Sequence, residues 1–276
     1  MSVSNLLTRS AVAAVFIPAY LFLVLHGGWA LLAVNCAIML IAAWEFCRLG
    51  LSGFHLEVPA TLLACAVSFF LIAAGRPGPA ASVAVLPFLF VVAIDIASGG
   101  PRETLARASR ASAAVLYVAW LFGHVHLLRL PSPAVASWPL PAWKLALVPF
   151  YLTWIVDTAA YGIGSALGRH RMAPAISPRK SWEGAAAGLV AGLAAGAALR
   201  FLGPLPLPVG LLLGGLAGTL GQGADLAESL FKREAGVKDS SRLIPGHGGV
   251  LDRFDSLLVN IPATYYSLVL LAPGRP

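Results

Sequence analysis

The sequence predicts an all-α, polytopic integral membrane protein, with about nine transmembrane helices and a polar site on their cytoplasmic side. Three observations carry that expectation. The 276-residue chain is 58% hydrophobic and only 11% charged, with a mean hydropathy of +0.82. Apolar runs of roughly 16 to 20 residues recur along its length, and a soluble fold of this size lacks the interior to hide them. Finally, half of the twelve acids are gathered between Asp225 and Asp255. In a bilayer each apolar run can span as a helix that satisfies its own backbone.

The spans fall at roughly 11–26, 29–45, 58–75, 80–98, 111–128, 142–163, 184–202, 207–224 and 254–273, separated by stretches containing Pro, Gly or charge. The run after Arg9 has the charge-then-apolar order of a leader peptide. No convincing small-residue cleavage site follows, and it is read as the first helix. Cys36, Cys47 and Cys65 lie in or beside apolar runs without metal-type spacing and read as small hydrophobes. Asp95, in the fourth span, reads as structural. Residues 1–140 hold about five helices and 141–276 about four, which carry the polar motifs. No linker is long enough to delimit a soluble domain, so the two parts read as one integrated membrane unit.

Nine spans with a cytoplasmic N-terminus put fourteen of the nineteen basic residues inside and five outside. The loop 164–183 and the polar insert 225–253 then both face the cytoplasm. Topology and anionic headgroups account for the net charge of +7. No interleaving of basic and aromatic residues points to nucleic acid.

In "YLTWIVDTAAYGIGSALG", Asp157 lies toward the cytoplasmic end of the sixth span. A mid-helix carboxylate costs about 2.5 kcal/mol or more on insertion scales. With Tyr161 one turn on, and Gly164 and Gly168 at four-residue steps, that face can admit a ligand; alternatively Asp157 snorkels into water. In "ISPRKSWEG", Ser177, Arg179 and Lys180 can bind phosphates in a turn fixed by Pro178. Glu183 starts the next helix, where its charge complements the dipole, and capping alone accounts for it equally well. His26, His55, His124, His126 and His170 lack carboxylate partners at useful spacing and read as structural or interfacial. Glycines at every fourth position (Gly184, Gly188, Gly192 and Gly196, then Gly210, Gly214 and Gly218) form grooves for close helix approach. Packing within one subunit is the first reading of these grooves and dimerisation the alternative.

"GADLAESLFKR" continues the eighth span. As a helix it puts Asp225, Ser229 and Lys232 on one face, at i, i+4 and i+7. Asp252 and Asp255 share a face where the ninth span begins. Between them "PGHGG" forces a compact turn that can fold the helix ends together and set Asp225 beside Asp252. Adjacent carboxylates repel unless a cation or proton lies between them. Oxygen donors without a cysteine cluster suit Mg²⁺, and the interleaved Lys232, Arg233, Lys238, Arg242 and Arg253 suit phosphate. Together these are the equipment of phosphoryl or nucleotidyl transfer. The plainer reading is a surface loop with ordinary salt bridges.

The stretch "ESLFKREAGVKDSSRLIPGHGGVLDRFDS" resembles the signature of the phosphatidate cytidylyltransferases, the CDP-diacylglycerol synthases. Its elements stand in order as Ser229, Lys232–Arg233, Lys238–Asp239, Pro245–Gly249 and Asp252–Asp255. "DTAAYGIGSALG" and "SPRKSWEG" are similar to the same family, so the likeness covers about 150–256. One departure is "DSSR", whose second serine stands where a glycine is expected. The resemblance implies that CTP and phosphatidate give CDP-diacylglycerol and pyrophosphate, in phospholipid biosynthesis. It further implies a homodimer in a bacterial-type inner membrane, an active site facing the cytoplasm, and Mg²⁺ with a monovalent cation such as K⁺. Asp225 and Asp252 would be the cation-binding carboxylates, with Ser229, Lys232, Lys238, Asp239 and Asp255 completing the polar site. Arg253 is a candidate to stabilise phosphate, and His247 either donates to a phosphate or holds the loop. Asp157, Tyr161, Ser177, Arg179, Lys180, Glu183 and Arg233 are the substrate-binding candidates. A CTP-dependent lipid or polyprenol kinase and an ion-coupled transporter are the competing readings.

Overall fold

An apolar segment in lipid must close its backbone hydrogen bonds internally, and this chain does so as helices almost throughout. The computed structural model describes residues 3–51, 56–101, 103–130, 133–203, 205–244 and 248–273. The helices are α1 (Val3–His26), α2 (Gly28–Arg48), α3 (Glu57–Ala73), α4 (Pro77–Ser82), α5 (Val85–Ala97), α6 (Thr104–Ala113), α7 (Leu121–Arg129), α8 (Pro133–Ala136), α9 (Ala142–Leu167), α10 (Trp182–Leu202), α11 (Leu207–Leu216), α12 (Gln222–Glu234) and α13 (Leu251–Leu270). π-helical turns at Ala114–Trp120 and Ala217–Gly221 join α6 to α7 and α11 to α12. Among the described residues, six segments are long and apolar enough to cross a membrane: Gly28–Arg48, Pro77–Ala97, Thr104–Arg129, Ala142–Leu167, Trp182–Leu202 and Leu207–Glu234. Phe16–His26 and Glu57–Ala73 are apolar but shorter.

The chain divides into two compact units. The first comprises Met1–His126 and Ala235–Phe254, the second Leu127–Glu234 and Asp255–Pro276. In the first unit, the buried guanidinium of Arg107 on α6 pairs with Glu57 on α3 and with Asp95 on α5, the latter at 2.9 Å. Thr104 adds a hydroxyl donor to Asp95 at 2.5 Å. Asp95 is therefore structural, as expected, but it has company that spacing did not reveal. Its partners come from separate helices, and Arg107 reads in sequence as a loop cation. The same unit buries a chain of polar groups in which Tyr20 donates to Asn35, whose amide meets His126 at 3.2 Å. His126 and His124 are buried, consistent with structural roles.

In the second unit the two glycine series face each other. A Cβ on Gly192 would lie 2.5 Å from the carbonyl oxygen of Gly214, and one on Gly196 closer still to that of Gly210. A Cβ on Gly184 would meet the Ala160 carbonyl at 2.7 Å, so α10 also needs glycine where it passes α9. The grooves are filled from within the subunit, as the first reading expected. At the π-helical turn the side chain of Gln222 donates to the Gly218 carbonyl at 2.5 Å and to Ala185 on α10 at 3.0 Å. α13 is tied to α9 by Asn260 donating to Thr153 at 2.7 Å.

The all-α expectation needs one amendment. Residues 171–181 form a hairpin in which β1 (Arg171–Ala173) pairs antiparallel with β2 (Ser177–Ser181). The reversal lies at 174–176, so Pro178 sits in a strand rather than fixing the turn. A two-stranded ribbon is all edge, and an edge strand tolerates a residue without an N–H.

Substituting Gly196→Leu should destabilise the protein by about 1–3 kcal/mol through overpacking, seen as a lowered thermal midpoint in detergent. Gly162→Ala, on α9 with nothing within 4 Å of the new Cβ, should instead hold or raise that midpoint, because alanine favours a helix over glycine by about 1 kcal/mol. Arg107→Leu leaves two buried carboxylates without their cation and should cost about 3–5 kcal/mol.

Candidate active site

The helix predicted to carry the first motif is present. α12 puts Asp225 in its first turn, and the Ser229 hydroxyl approaches it at 3.5 Å, the expected i, i+4 relation. Lys180, at the end of β2, reaches Asp225 with an ion pair of 2.8 Å and the Gln222 carbonyl at 3.3 Å. Asp255, half-buried on α13, lies within electrostatic reach of Asp225, Asp157 and Lys232. Its carboxylate accepts the Ser256 N–H at 2.6 Å. The second unit thus gathers three predicted carboxylates (Asp157, Asp225 and Asp255) with two predicted lysines. Lys232 is buried and its ammonium pairs with buried Glu228 at 3.1 Å. Glu228 was counted in sequence only as part of the acidic cluster. Its role as a lysine partner rests on i, i+4 spacing that was there to be read.

The hairpin is docked onto this helix. Arg233 on α12 donates to the carbonyl of Ile176 at 3.1 Å, in the reversal. Arg171 donates to the Arg179 carbonyl at 3.1 Å. Ser181 caps α10 by accepting from the Gly184 N–H at 3.2 Å. Glu183 accepts from the His170 backbone at 3.2 Å and lies 2.6 Å from its Nδ1. This corrects the view of His170 as lacking a carboxylate partner: the hairpin brings together residues thirteen apart in sequence. Glu183 and Arg233 therefore act at least in part as struts of the hairpin. Ser177 stands opposite Ala173 on β2, half-buried, and Arg179 is exposed. Asp157 and Tyr161 are exposed on α9, Tyr161 at 73%.

The remaining predicted residues lie in the first unit. Asp252 is buried, and its Oδ2 accepts from the Ser240 N–H (3.0 Å), the Ser240 hydroxyl (2.9 Å) and the Gly249 N–H (2.8 Å). Glu45 on α2, which sequence reading passed over, is fully buried and receives both serine hydroxyls and the N–H groups of Val250 and Leu251. A lone carboxylate inside an apolar span is itself a functional signal. Ser241, the second serine of "DSSR", is a donor to Glu45 at 2.5 Å. A cavity of about 570 Å³ is lined by Arg48, Lys238, Asp239 and Arg242, with Ser240 and Ser241. Arg48 was read in sequence only for orientation. Lys238, Asp239, Arg242 and Arg253 are exposed. His247 lies outside the described residues.

Among the described residues, no three His, Cys, Asp or Glu side chains form a ready-made metal site. Mg²⁺ seldom needs one: it takes one or two carboxylates and completes its octahedron with water and substrate phosphate. Asp225 and Asp255 in the second unit, and Asp252 in the first, are oxygen donors of the type Mg²⁺ takes.

A model of the cytidylyltransferase family matches residues 7–271. The chain is similar to the phosphatidate cytidylyltransferase of Haemophilus influenzae, 44% identical over 152 residues, covering 52% of this chain and 53% of that one. It is 43% identical to the Staphylococcus aureus (strain COL) protein of that name over 118 residues, 42% and 45% of the two chains. In these two comparisons the chain spans about half the length of the relatives it matches. A Pseudomonas aeruginosa phosphatidate cytidylyltransferase is 34% identical over 300 residues, 96% of this chain and 97% of its own.

The backbone around Ser240 depends on Gly249, where a Cβ would lie 2.6 Å from the Glu45 carboxylate and closer still to the Ser240 hydroxyl. Gly249→Ala should dislodge it, so that trypsin cuts after Lys238 or Arg242 at least about tenfold faster than in the wild type, as expected when a local opening becomes easier by 1.4 kcal/mol.

Proposed function

The chain belongs to the cytidylyltransferase family, and from that membership we propose that it transfers the cytidylyl group of CTP to phosphatidate, giving CDP-diacylglycerol and pyrophosphate. The observation that carries this reading is the similarity to the Pseudomonas aeruginosa phosphatidate cytidylyltransferase along almost the whole of both chains. The grouping of Asp225 with Lys180, Asp157 and Asp255 supports it.

The phosphate of phosphatidate is already an anion at neutral pH, so the reaction needs no strong general base. A phosphatidate oxygen attacks the α-phosphorus of CTP. The bond from that phosphorus to the bridging oxygen breaks, and pyrophosphate leaves with the electron pair. Asp225 and Asp252 would hold Mg²⁺, which when bound supplies neutralisation of phosphate charge. Lys180, Lys232, Lys238 and Arg253 bring positive charge to the reacting phosphates and the departing pyrophosphate. Ser229, Asp239 and Asp255 complete the polar site. Asp157, Tyr161 and the hairpin residues Ser177 and Arg179 contact substrate, while Glu183 and Arg233 hold the hairpin in place.

The reading includes nine membrane crossings with the polar residues toward the cytoplasm, an orientation supported by the fourteen of nineteen basic residues that then fall on that side. Lipid tails stay among the helices while the headgroup meets CTP from the aqueous side. A homodimer is the assembly this family reading carries.

Purified protein given CTP, phosphatidate and Mg²⁺ should release pyrophosphate and place cytidine in the lipid. Transfer of the γ-phosphate alone would identify a lipid kinase, and substrate-driven ion flux without pyrophosphate a transporter. Asp225→Asn and Asp252→Asn should each lower turnover by about 10³-fold while leaving the protein monodisperse; wild-type turnover by either variant at ordinary Mg²⁺ would remove that residue from the metal site.

A further inference from the structure

Glu45 is a buried carboxylate surrounded by hydroxyl and amide groups. Oε1 takes the Ser241 hydroxyl at 2.5 Å and the Val250 N–H at 3.0 Å; Oε2 takes the Ser240 hydroxyl at 3.1 Å and the Leu251 N–H at 2.7 Å. Each oxygen thus faces one hydroxyl and one amide, and the Ser240 proton is one that Glu45 shares with Asp252. The amides belong to the start of α13, whose first N–H groups have no partner within the helix. An anion at that end is also favoured by the helix dipole.

The Ser240 hydroxyl has one proton and lies between two carboxylates, 3.1 Å from Glu45 and 2.9 Å from Asp252. Both acids are buried. A displacement of Glu45 therefore moves Ser240, and with it two donors on Asp252 Oδ2, namely the Ser240 hydroxyl and the Ser240 amide. Gly249 supplies a further donor, and its backbone runs so close to Glu45 that a Cβ would collide with it.

We propose that Glu45 is a positioning residue for the reaction site: acting through Ser240 and the first turn of α13, it fixes the rotamer of the Asp252 carboxylate. The inference rests on the placing of Asp252 in the reaction site proposed above. Glu45 itself touches no substrate. Its buried location on α2, far in sequence from the motif it supports, is what an outer support of a reacting group requires.

Glu45→Gln keeps the shape but presents an NH₂ to two of the four donors. It should lower kcat by about 10- to 100-fold, the usual cost of losing an outer-layer partner, with the KM for CTP within twofold of wild type. Glu45→Asp, which keeps the charge but is one methylene shorter, should recover part of the loss. Ser240→Ala should resemble Glu45→Gln, and the double variant should be no worse than the poorer single one, because both act along one chain of contacts. Glu57→Gln, a buried carboxylate in the same unit that serves Arg107, is the control: its thermal midpoint should fall at least as far while kcat stays within twofold.

Wild-type kcat in Glu45→Gln, multiplying losses in the double variant, or an equal loss of kcat in Glu57→Gln would each overturn the proposal. Amide exchange provides a readout that needs no activity. The Ser240 N–H donates to Asp252, not to Glu45, and the peptide carrying it should exchange at least tenfold faster in Glu45→Gln; unchanged exchange there overturns the proposal. If the wild type itself makes no cytidine-bearing lipid, the functional reading fails, and the exchange result alone decides the role of Glu45.

Discussion

Among the described residues each buried charge is answered by a specific partner, and that constraint organises the polar parts of the chain. Arg107 lies between Glu57 and Asp95. Lys232 pairs with Glu228. Glu45 is met by four donors from one loop. An ion stripped of water costs several kcal/mol unless partners replace the solvent. In a chain with so few charges, each such arrangement therefore selects one packing over its alternatives. In the first unit, the Glu45 arrangement holds Ser240 and Ser241 against the start of α13.

The second unit is organised by the opposite means, the removal of side chains. Facing glycines bring α10 onto α11 and α9 until backbone meets backbone. In an apolar environment there is little hydrophobic gain in burying one helix against another, and close van der Waals contact takes its place. The three helices so packed carry the hairpin at one end, through the Ser181 cap and the close approach of Gly184 to α9. The hairpin in turn presents Lys180 to Asp225. A cation that sequence places 45 residues from its carboxylate arrives there because the glycines let the helices close up.

Charge is distributed unevenly over the polar parts of the chain. Exposed basic groups line the 237–242 cavity, whereas the carboxylates around Asp225 and the buried Asp252 are held by lysine or by hydroxyl and amide donors. In the reaction proposed above, a bound cation would compete with these donors for the carboxylates, and the bases would meet phosphate.

By itself, the sequence determined the helical membrane class, the positions of the main helices and the motif residues. These follow from local rules: hydropathy, the 3.6-residue period and the conformational freedom of glycine act over a few turns. The face shared by Asp225 and Ser229 was legible for that reason, as was the in-subunit use of the glycine series. The hairpin escaped notice because two short strands bounding one reversal carry almost no periodicity, and Pro178 suggested a turn. The partners of Glu45, Asp95 and His170 were decided only by the tertiary structure. Spacing reports neighbours along one helix, whereas Glu45 and Ser240 stand 195 residues apart and meet because burial leaves each carboxylate no other source of donors.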